Sequence, residues 1–175
     1  MYGPHLRSAT LTRLAERGVK VSLLTNALSS TDMVLVYGAY RLYRGPLLAS
    51  GAAVYEYAKP VLPGRKRDVL HSKVFLMDGR QAIIGSLNFD LRSAVTNTEL
   101  GLLFEEPDLM TELTRKFDSL CAPDQAYRVT RHGHALHWAV SRPGFPHDMT
   151  VEPEAAWHRR AMSWIVGRTP IQGFL

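Results

Sequence analysis

Cysteine is nearly absent from this sequence, since Cys121 is the only one in 175 residues. A single cysteine excludes an internal disulfide and fits a reducing compartment, and its simplest role is that of a small buried apolar residue. Long apolar runs are absent too: nothing approaches the ~20 residues that a membrane-spanning helix needs, and there is no signal-peptide pattern. We therefore expect a chain that does not cross a membrane by itself, although an anchor upstream of Met1 stays open.

Groups of metal-ligating residues are also lacking. The most suggestive one, His132-Gly133-His134, has no Cys or carboxylate partner at ligand spacing, so we interpret it as the turn of a hairpin. No set of Cys, His and carboxylates near the motif described below has such spacing either. We therefore predict no metal and no cofactor.

What the chain does have is a basic charge balance and an ordinary apolar content. Its length suits one domain, and 46% hydrophobic residues are usual for a globular protein. The formal net charge is +5 and the sequence pI is about 9.6. This balance favours a polyanionic partner, either anionic lipid headgroups or nucleic acid, and does not choose between them.

The most informative stretch carries a His-x-Lys pair and, further on, a Gly-Ser-x-Asn cluster. Its first part, SKVFLM, favours a strand, and Asp78-Gly79 is a strong hairpin signal before a return strand. Because strand side chains alternate, His71 and Lys73 share a face, whereas Asp78 falls on the other parity or in the turn. A two-residue loop would place Ser86 opposite His71, with Asn88 one step further along the same face.

These groups suit a phosphodiester. An imidazole can attack phosphorus as a nucleophile or protonate a leaving oxygen as a general acid. The ammonium of Lys73 supplies a positive charge for the phosphoryl oxygens, and Ser86 and Asn88 supply neutral donors. Gly85 has no side chain and lets the backbone approach the ligand. The pattern predicts a metal-free phosphoryl-transfer site, in which Asp78 has a turn or supporting role rather than a phosphate contact.

Strand, helix and strand follow one another along the chain, which predicts an α/β layer. The predicted helices are Leu6–Arg17, Met33–Ser50 with Asp32 as N-cap and an interruption at Gly45-Pro46, a short turn at Phe89–Ala94, Asp108–Leu120 and Glu154–Val166. The predicted strands are Val19–Thr25, Ala53–Ala58, Ser72–Met77, Gln81–Ser86, Thr98–Phe104 and a hairpin of Tyr127–Thr130 with Ala135–Val140.

Two basic segments each admit two interpretations. The loop with Arg65, Lys66 and Arg67 leads into the motif, and is either a solvated loop or an electrostatic guide for an anionic substrate. The helix predicted at Glu154–Val166 has tryptophans beside arginines, a combination that suits a membrane interface. For that helix, core packing with a solvated edge is the favoured interpretation.

The motif pattern, His71-x-Lys73 with Asp78 and Gly85-Ser86-x-Asn88, resembles the HKD motif of the phospholipase D superfamily at every position. Within that superfamily the chain is similar to the C-terminal half of a two-motif enzyme of the bacterial cardiolipin synthase type. The likeness covers nearly the whole chain, and it rests outside the motif on Arg17–Val21, Leu24–Asp32, Tyr40–Leu48 and Asn88–Glu99. It implies one layered α/β domain over residues 1–175, a mixed β-sheet flanked by helices, with a single motif at about 65–92.

The resemblance also implies a role for each motif residue. The catalytic set would be His71, Lys73, Asp78 and Glu99, and the substrate phosphate would be held by Lys73, Gly85, Ser86 and Asn88. Glu99 would hydrogen-bond the imidazole of His71 and thereby fix its tautomer. From the residues alone, Glu99 is equally well a surface charge at the start of a strand.

Enzymes of this superfamily use two such motifs, so that one histidine takes up the phosphatidyl group and the other protonates the departing alcohol. This sequence has one, because none of its other histidines is followed by Lys two residues later. The resemblance therefore implies a second HKD half, from a homodimer or from a missing upstream segment. His71 would be the general acid in a two-motif chain and would play both parts in a homodimer.

The implied substrate is a phospholipid such as phosphatidylglycerol, and the implied location is cytoplasmic, in peripheral contact with the inner face of a bacterial cell membrane. Two alternatives stay open: a single-motif homodimeric nuclease, and a non-catalytic fragment or partner-binding half. Segments outside the motif, such as Leu24–Asp32, favour lipid over nucleic acid. The single motif favours the non-catalytic alternative.

Overall fold

The predicted α/β class is confirmed by a computed structural model that describes residues 5–58, 68–86 and 98–168. Within these ranges the helices are α1 (His5–Glu16), α2 (Val34–Ala49), α3 (Pro107–Leu120) and α4 (Trp157–Val166). The strands are β1 (Ser22–Asn26), β2 (Ala53–Tyr57), β3 (Lys73–Met77), β4 (Gln81–Gly85), β5 (Gly101–Phe104), β6 (Ala126–His132), β7 (Ala135–Ala139) and β8 (Asp148–Met149).

The described strands form two sheets rather than the one mixed sheet expected. The larger has the order β1-β2-β6-β7-β8, in which β1 and β2 are parallel and the other neighbours antiparallel. The smaller is the antiparallel sheet β3-β4-β5, which carries the motif hairpin. Strand β1 lies at the edge of the larger sheet, and side-chain hydrogen bonds link its last residue to the segment before β3.

The main core lies on the larger sheet. Residues Val54 of β2, Tyr127 and Val129 of β6 and Trp138 of β7 pack there with Leu47 of α2, and all are almost fully buried. The core is thus built by strands that come from both ends of the chain. Hydrophobic burial of this kind is the main favourable term in folding.

Helix α2 differs from its predicted form in two places, near Pro46 and at its N-terminus. The predicted interruption at Gly45-Pro46 is wrong, because the helix continues to Ala49 with Pro46 inside it. Burial of Leu47 one residue later explains this, since tertiary packing overrides the low helix propensity of proline. The N-cap is Met33 rather than Asp32, and the Met33 amide donates to the hydroxyl of Thr31.

Other elements agree more closely with the sequence. Helix α3 begins as its residues dictate, because Pro107 is in the first turn and the Glu106 carboxylate accepts from the amide of Leu109 at 2.6 Å. The hairpin of β6 and β7 turns at Gly133, whose φ is 61°. The helical turn predicted at Phe89–Ala94 lies outside the described residues. None of the helices in the described ranges is long and apolar enough to cross a membrane.

Candidate active site

The motif hairpin turns at Asp78 and Gly79, as the sequence predicts, but its loop is one residue longer. Asp78 has a φ of 53° and Gly79 one of 65°, the positive values that primed hairpin turns require. The amide of Arg80 donates to the carbonyl of Met77 at 3.0 Å and closes this turn. Strand pairing then resumes with Met77 opposite Gln81, so that Arg80 is an additional residue in the loop.

This additional residue changes the register of the hairpin. Lys73 lies opposite Gly85, so odd-numbered residues face odd-numbered ones. The prediction that Ser86 lies opposite His71 is therefore wrong, because a shift of one residue moves side chains to the other face. Asn88, predicted to lie on the same face, is outside the described residues.

The described motif residues nevertheless meet at one end of the smaller sheet. Lys73 of β3 is opposite Gly85 of β4, and Gly85 is opposite Gly101 of β5. Adjacent strands are ~4.8 Å apart, so the start of β3 and the start of β5 flank the end of β4 closely. His71 comes two residues before Lys73, and Glu99 comes two residues before Gly101. Both therefore lie at the same end of the sheet.

Ser86 and Glu99 contact each other directly. The Ser86 hydroxyl donates to Oε2 of Glu99 at 2.5 Å and accepts from the amide of Leu100 at 3.0 Å. The Ser86 amide also donates to the Leu100 carbonyl at 2.9 Å. The hydrogen bond to the Glu99 carboxylate orients the hydroxyl. The predicted hydrogen bond from Glu99 to the imidazole of His71 stays a prediction.

Lys73 is held beside His71. Its ammonium donates to the main-chain carbonyl of His71 at 2.7 Å. The side chain of Lys73 is half-buried, whereas that of His71 is exposed. This contact keeps the Lys73 ammonium at the same end of the smaller sheet as His71, where it would contact a phosphoryl oxygen bound near the imidazole.

Asn26 is a site residue that sequence reasoning missed. Its side-chain amide donates to the carbonyl of Leu70 at 2.8 Å and its side-chain oxygen accepts from the Leu70 amide at 2.8 Å. Asparagine can make such a pair because it has both a donor and an acceptor. The two bonds fix the main chain immediately before His71 from the end of β1. The one signal in the sequence was an Asn at the end of a strand, which does not reveal a contact 44 residues away.

Gly85 is required by packing between strands. A Cβ atom there would lie 2.1 Å from the carbonyl oxygen of Leu100 and 2.8 Å from Cα of Gly101. Both of these are main-chain atoms, so the neighbouring strand would have to move. The predicted approach of Gly85 to a ligand stays a prediction beside this structural reason.

Some sequence features do not join the described site. The loop with Arg65, Lys66 and Arg67 lies outside the described residues. The thiol of Cys121 is a poor nucleophile at neutral pH, because burial and the nearby Asp118 raise its pKa to about 12. Within the described ranges no group of three or more His, Cys, Asp or Glu residues has the arrangement of a metal site.

Comparison with known proteins shows the family to which this chain belongs. The family model described as "Cardiolipin synthase, PLD-like domain" matches residues 6–121. Cardiolipin synthase C of Escherichia coli (strain K12) is 30% identical over 95% of this chain, which corresponds to 37% of that protein. Cardiolipin synthase A of Erwinia tasmaniensis is 31% identical over 71% of this chain and 24% of that protein. The chain thus spans well under half the length of these relatives.

The fold agrees with a solved structure as well. A crystal structure of a phospholipase D family member, Nuc from Salmonella typhimurium, superposes with a TM-score of 0.55. The similarity covers 75% of this chain and 77% of that chain at 17% sequence identity, so it bears on the fold alone. Since the family model covers most of the chain, including the strand hairpin with His71 and Lys73, this protein belongs to the cardiolipin synthase-like, PLD-like domain family of the phospholipase D superfamily.

Proposed function

We propose that this chain supplies one catalytic half of a phosphatidyltransferase of phospholipid metabolism, acting through a phosphohistidine-type intermediate without a metal. The observation that carries the proposal is the register of the smaller sheet. It brings His71, Lys73, Ser86 and Glu99 to one end of three adjacent strands. An imidazole, an ammonium and an oriented hydroxyl at one point suit the transfer of a phosphodiester.

In the proposed reaction, an imidazole nitrogen attacks the phosphorus of a phospholipid such as phosphatidylglycerol. The bond from phosphorus to the headgroup oxygen breaks, and that oxygen takes a proton from a second histidine. An acceptor alcohol then gives its proton to this second histidine while its oxygen attacks phosphorus and breaks the phosphorus–nitrogen bond. Lys73 stabilises the charge on the phosphoryl oxygens in both steps, and Asn88 is proposed to join it. Ser86 is proposed to join them as well, once its single proton turns from Glu99 to the phosphate.

The reaction needs two histidines, and the motif supplies one. We propose that the second comes from another copy of the chain or from a second HKD half. In a homodimer His71 of one copy is the nucleophile and His71 of the other is the acid. Glu99 is proposed to orient the imidazole, and in the free protein it also accepts the proton of the Ser86 hydroxyl.

Radiolabelled phosphatidylglycerol in mixed micelles, with a chelator present, tests the proposal. We expect the chain to form cardiolipin or phosphatidic acid, His71→Ala to remove turnover, and the exposed His147→Ala control to keep it. Quenching in detergent at alkaline pH during turnover should trap label on the protein, because the phosphorus–nitrogen bond is stable in base and is hydrolysed in acid. The sedimentation velocity of the same sample shows whether the active species is a dimer.

Other results would contradict the proposal in different ways. Cleavage of DNA without any turnover of lipid would support the nuclease alternative. Inactivity on both substrates in every oligomeric state would support a non-catalytic half. Loss of activity on adding the chelator would exclude the metal-free mechanism.

A further inference from the structure

Helix α4 turns its large apolar side chains outward. The exposed fraction is 78% for Trp157, 50% for Trp164 and 55% for Ile165. Trp157, Ala161, Trp164 and Ile165 follow one another at intervals of four, three and one residues, so their side chains form one stripe along the helix. The favoured expectation, that this helix packs its aromatic residues into the core, is therefore wrong.

The large side chains of α4 point outward because the side of the helix that packs on α2 has no room for them. A Cβ atom at Gly38 of α2 would lie 2.8 Å from the Cβ of Val166 and 3.0 Å from the carbonyl of Ser163, so the two helices touch closely through small residues. Ser163 and Val166 are the buried residues of α4. The tryptophans are consequently left outside by the packing itself, and they form an apolar face without a partner in the described structure.

Positive charge lies beside the C-terminal end of the exposed stripe, where Arg41 is also paired with Glu152 at 3.4 Å. The guanidinium carbon of Arg168 lies 3.7 Å from the ring centroid of Trp164. Beside this pair is a cavity of ≈ 170 Å³ that Arg41 and Leu42 also line. A second cavity of ≈ 340 Å³ shares Arg41 and Leu42, and its lining adds Arg131 and His134. Among the described residues that line these two cavities, three are arginines and none is a carboxylate.

We propose that the outer face of α4, with the two arginine-lined cavities beside it, docks on an anionic lipid surface. Tryptophan rings lie at the boundary between headgroups and acyl chains, and arginine binds lipid phosphates at that depth. The net charge of +5 adds attraction to such a surface. Charge complementarity favours lipid as the partner, because an anionic membrane presents phosphates directly above an apolar layer, which matches arginines beside an apolar stripe.

The docking face is also linked to the candidate active site. Arg159, on the inner side of α4, donates to the main-chain carbonyls of Leu28, at 3.1 Å, and of Thr31. These carbonyls belong to the loop that follows Asn26, and Asn26 holds the residue before His71. The first turn of α4 therefore lies at the end of the larger sheet that faces the site, as a lipid substrate requires; to this extent the inference rests on the proposed function.

Fluorescence of the native tryptophans tests the inference. The chain has three, of which Trp138 is 2% exposed, so a change on mixing with vesicles reports on Trp157 and Trp164. We expect a blue shift with vesicles of phosphatidylglycerol and phosphatidylcholine, quenching by brominated acyl chains, and no change with phosphatidylcholine alone. Replacing both exposed tryptophans by serine should weaken vesicle binding at least about tenfold. Arg168→Gln should weaken it about fivefold at low salt.

Two controls separate this inference from the proposed function. Leu103→Ser removes a 60% exposed apolar side chain from β5 and should leave vesicle binding unchanged. His71→Ala should lose turnover and still bind vesicles, whereas the double tryptophan variant should lose binding and still act on a short-chain, soluble phosphatidylglycerol. Failure of the chain to bind anionic vesicles would overturn the inference. So would a double tryptophan variant that binds vesicles normally but sediments as a smaller species, since the face would then hold a protein.

Discussion

At the scale of single residues, the site depends on side chains that hold the main chain as much as on those that meet a substrate. Asn26 makes two hydrogen bonds to Leu70 and so takes the place of a strand neighbour just before His71. Ser86 is held in the same way by Glu99 and by the amide of Leu100. Chemistry at the site therefore depends on positioning groups that the motif itself does not contain.

Replacing Asn26 tests this. Asn26→Leu removes both bonds to Leu70, and we expect kcat to fall about 10- to 100-fold with KM little changed, because small misplacements of a catalytic group cost this much. Asn26→Asp keeps the acceptor and should lose less. Steady-state kinetics on micellar phosphatidylglycerol gives both constants. An unchanged kcat, or a rise in KM alone, would show that Asn26 does not position His71.

At the scale of elements, the sequence predicts the hairpin but not its register. The strands and the Asp78-Gly79 turn follow from residue preferences that act locally. Whether Arg80 belongs to the loop or to β4 depends on how β4 meets β5, which the local pattern does not contain. The same reason explains α2, where Gly45-Pro46 predicts a break but burial of Leu47 continues the helix.

The close approach of β4 to β5 gives a prediction at this scale. A methyl group at Gly85 would meet main-chain atoms of Leu100 and Gly101, so we expect Gly85→Ala to lower the free energy of unfolding by about 1–3 kcal/mol or more. Gly101→Ala is the matched control, because Gly101 lies opposite Gly85 and its Cβ would meet only Cγ2 of Ile83 at 3.5 Å. Urea unfolding measures both. Equal effects of the two substitutions would exclude a specific role for Gly85.

At the scale of the whole molecule, a buried network of charge joins distant parts of the chain. The Glu56 carboxylate, which is fully buried, accepts from Arg44 at 2.8 Å and from the indole of Trp138 at 2.9 Å. Arg44 also pairs with Glu152 at 3.3 Å. Burial is the largest single influence on the pKa of Arg44 and would lower it, but Glu56, Tyr37 and Tyr40 together outweigh burial and raise that pKa, so the guanidinium stays charged. Burial and Glu56 together raise the pKa of Tyr37, which donates to the same carboxylate.

We expect the network to make single substitutions costly. Arg44→Met leaves Glu56 as a buried charge without its cation and should lower the free energy of unfolding by about 3–5 kcal/mol. Glu56→Gln leaves Arg44 with Glu152 as its remaining carboxylate and should cost less. The double variant should be more stable than the sum of the two predicts, because neither charge remains. Thermal unfolding of the four proteins closes the cycle. Additive losses would show that the two groups do not depend on each other.

The sequence did not predict this network, although it predicted the helix of Arg44 and the strands of Glu56 and Trp138. Arg44 lies in an amphipathic helix and Glu56 in a strand. In both cases the charged side chain would ordinarily be expected to face solvent. Their partners come from β7 and from Glu152, which are separated from them by about half the chain or more. Local patterns identify elements, and only the folded arrangement shows which elements exchange polar partners.

The long reach of these contacts has a consequence for how the protein is made. The matched family segment ends at residue 121, yet β6, the antiparallel neighbour of β2, begins only at Ala126. Glu152, which pairs with Arg44, is synthesised later still. So is Arg159, which donates to a carbonyl of the loop after β1. While the ribosome is still adding the residues after 121, the nascent chain holds the motif hairpin but has an open sheet edge and an incomplete charge network. The loop that follows Asn26, the residue that contacts the segment before His71, therefore gains its full set of bonds only after Arg159 has been synthesised.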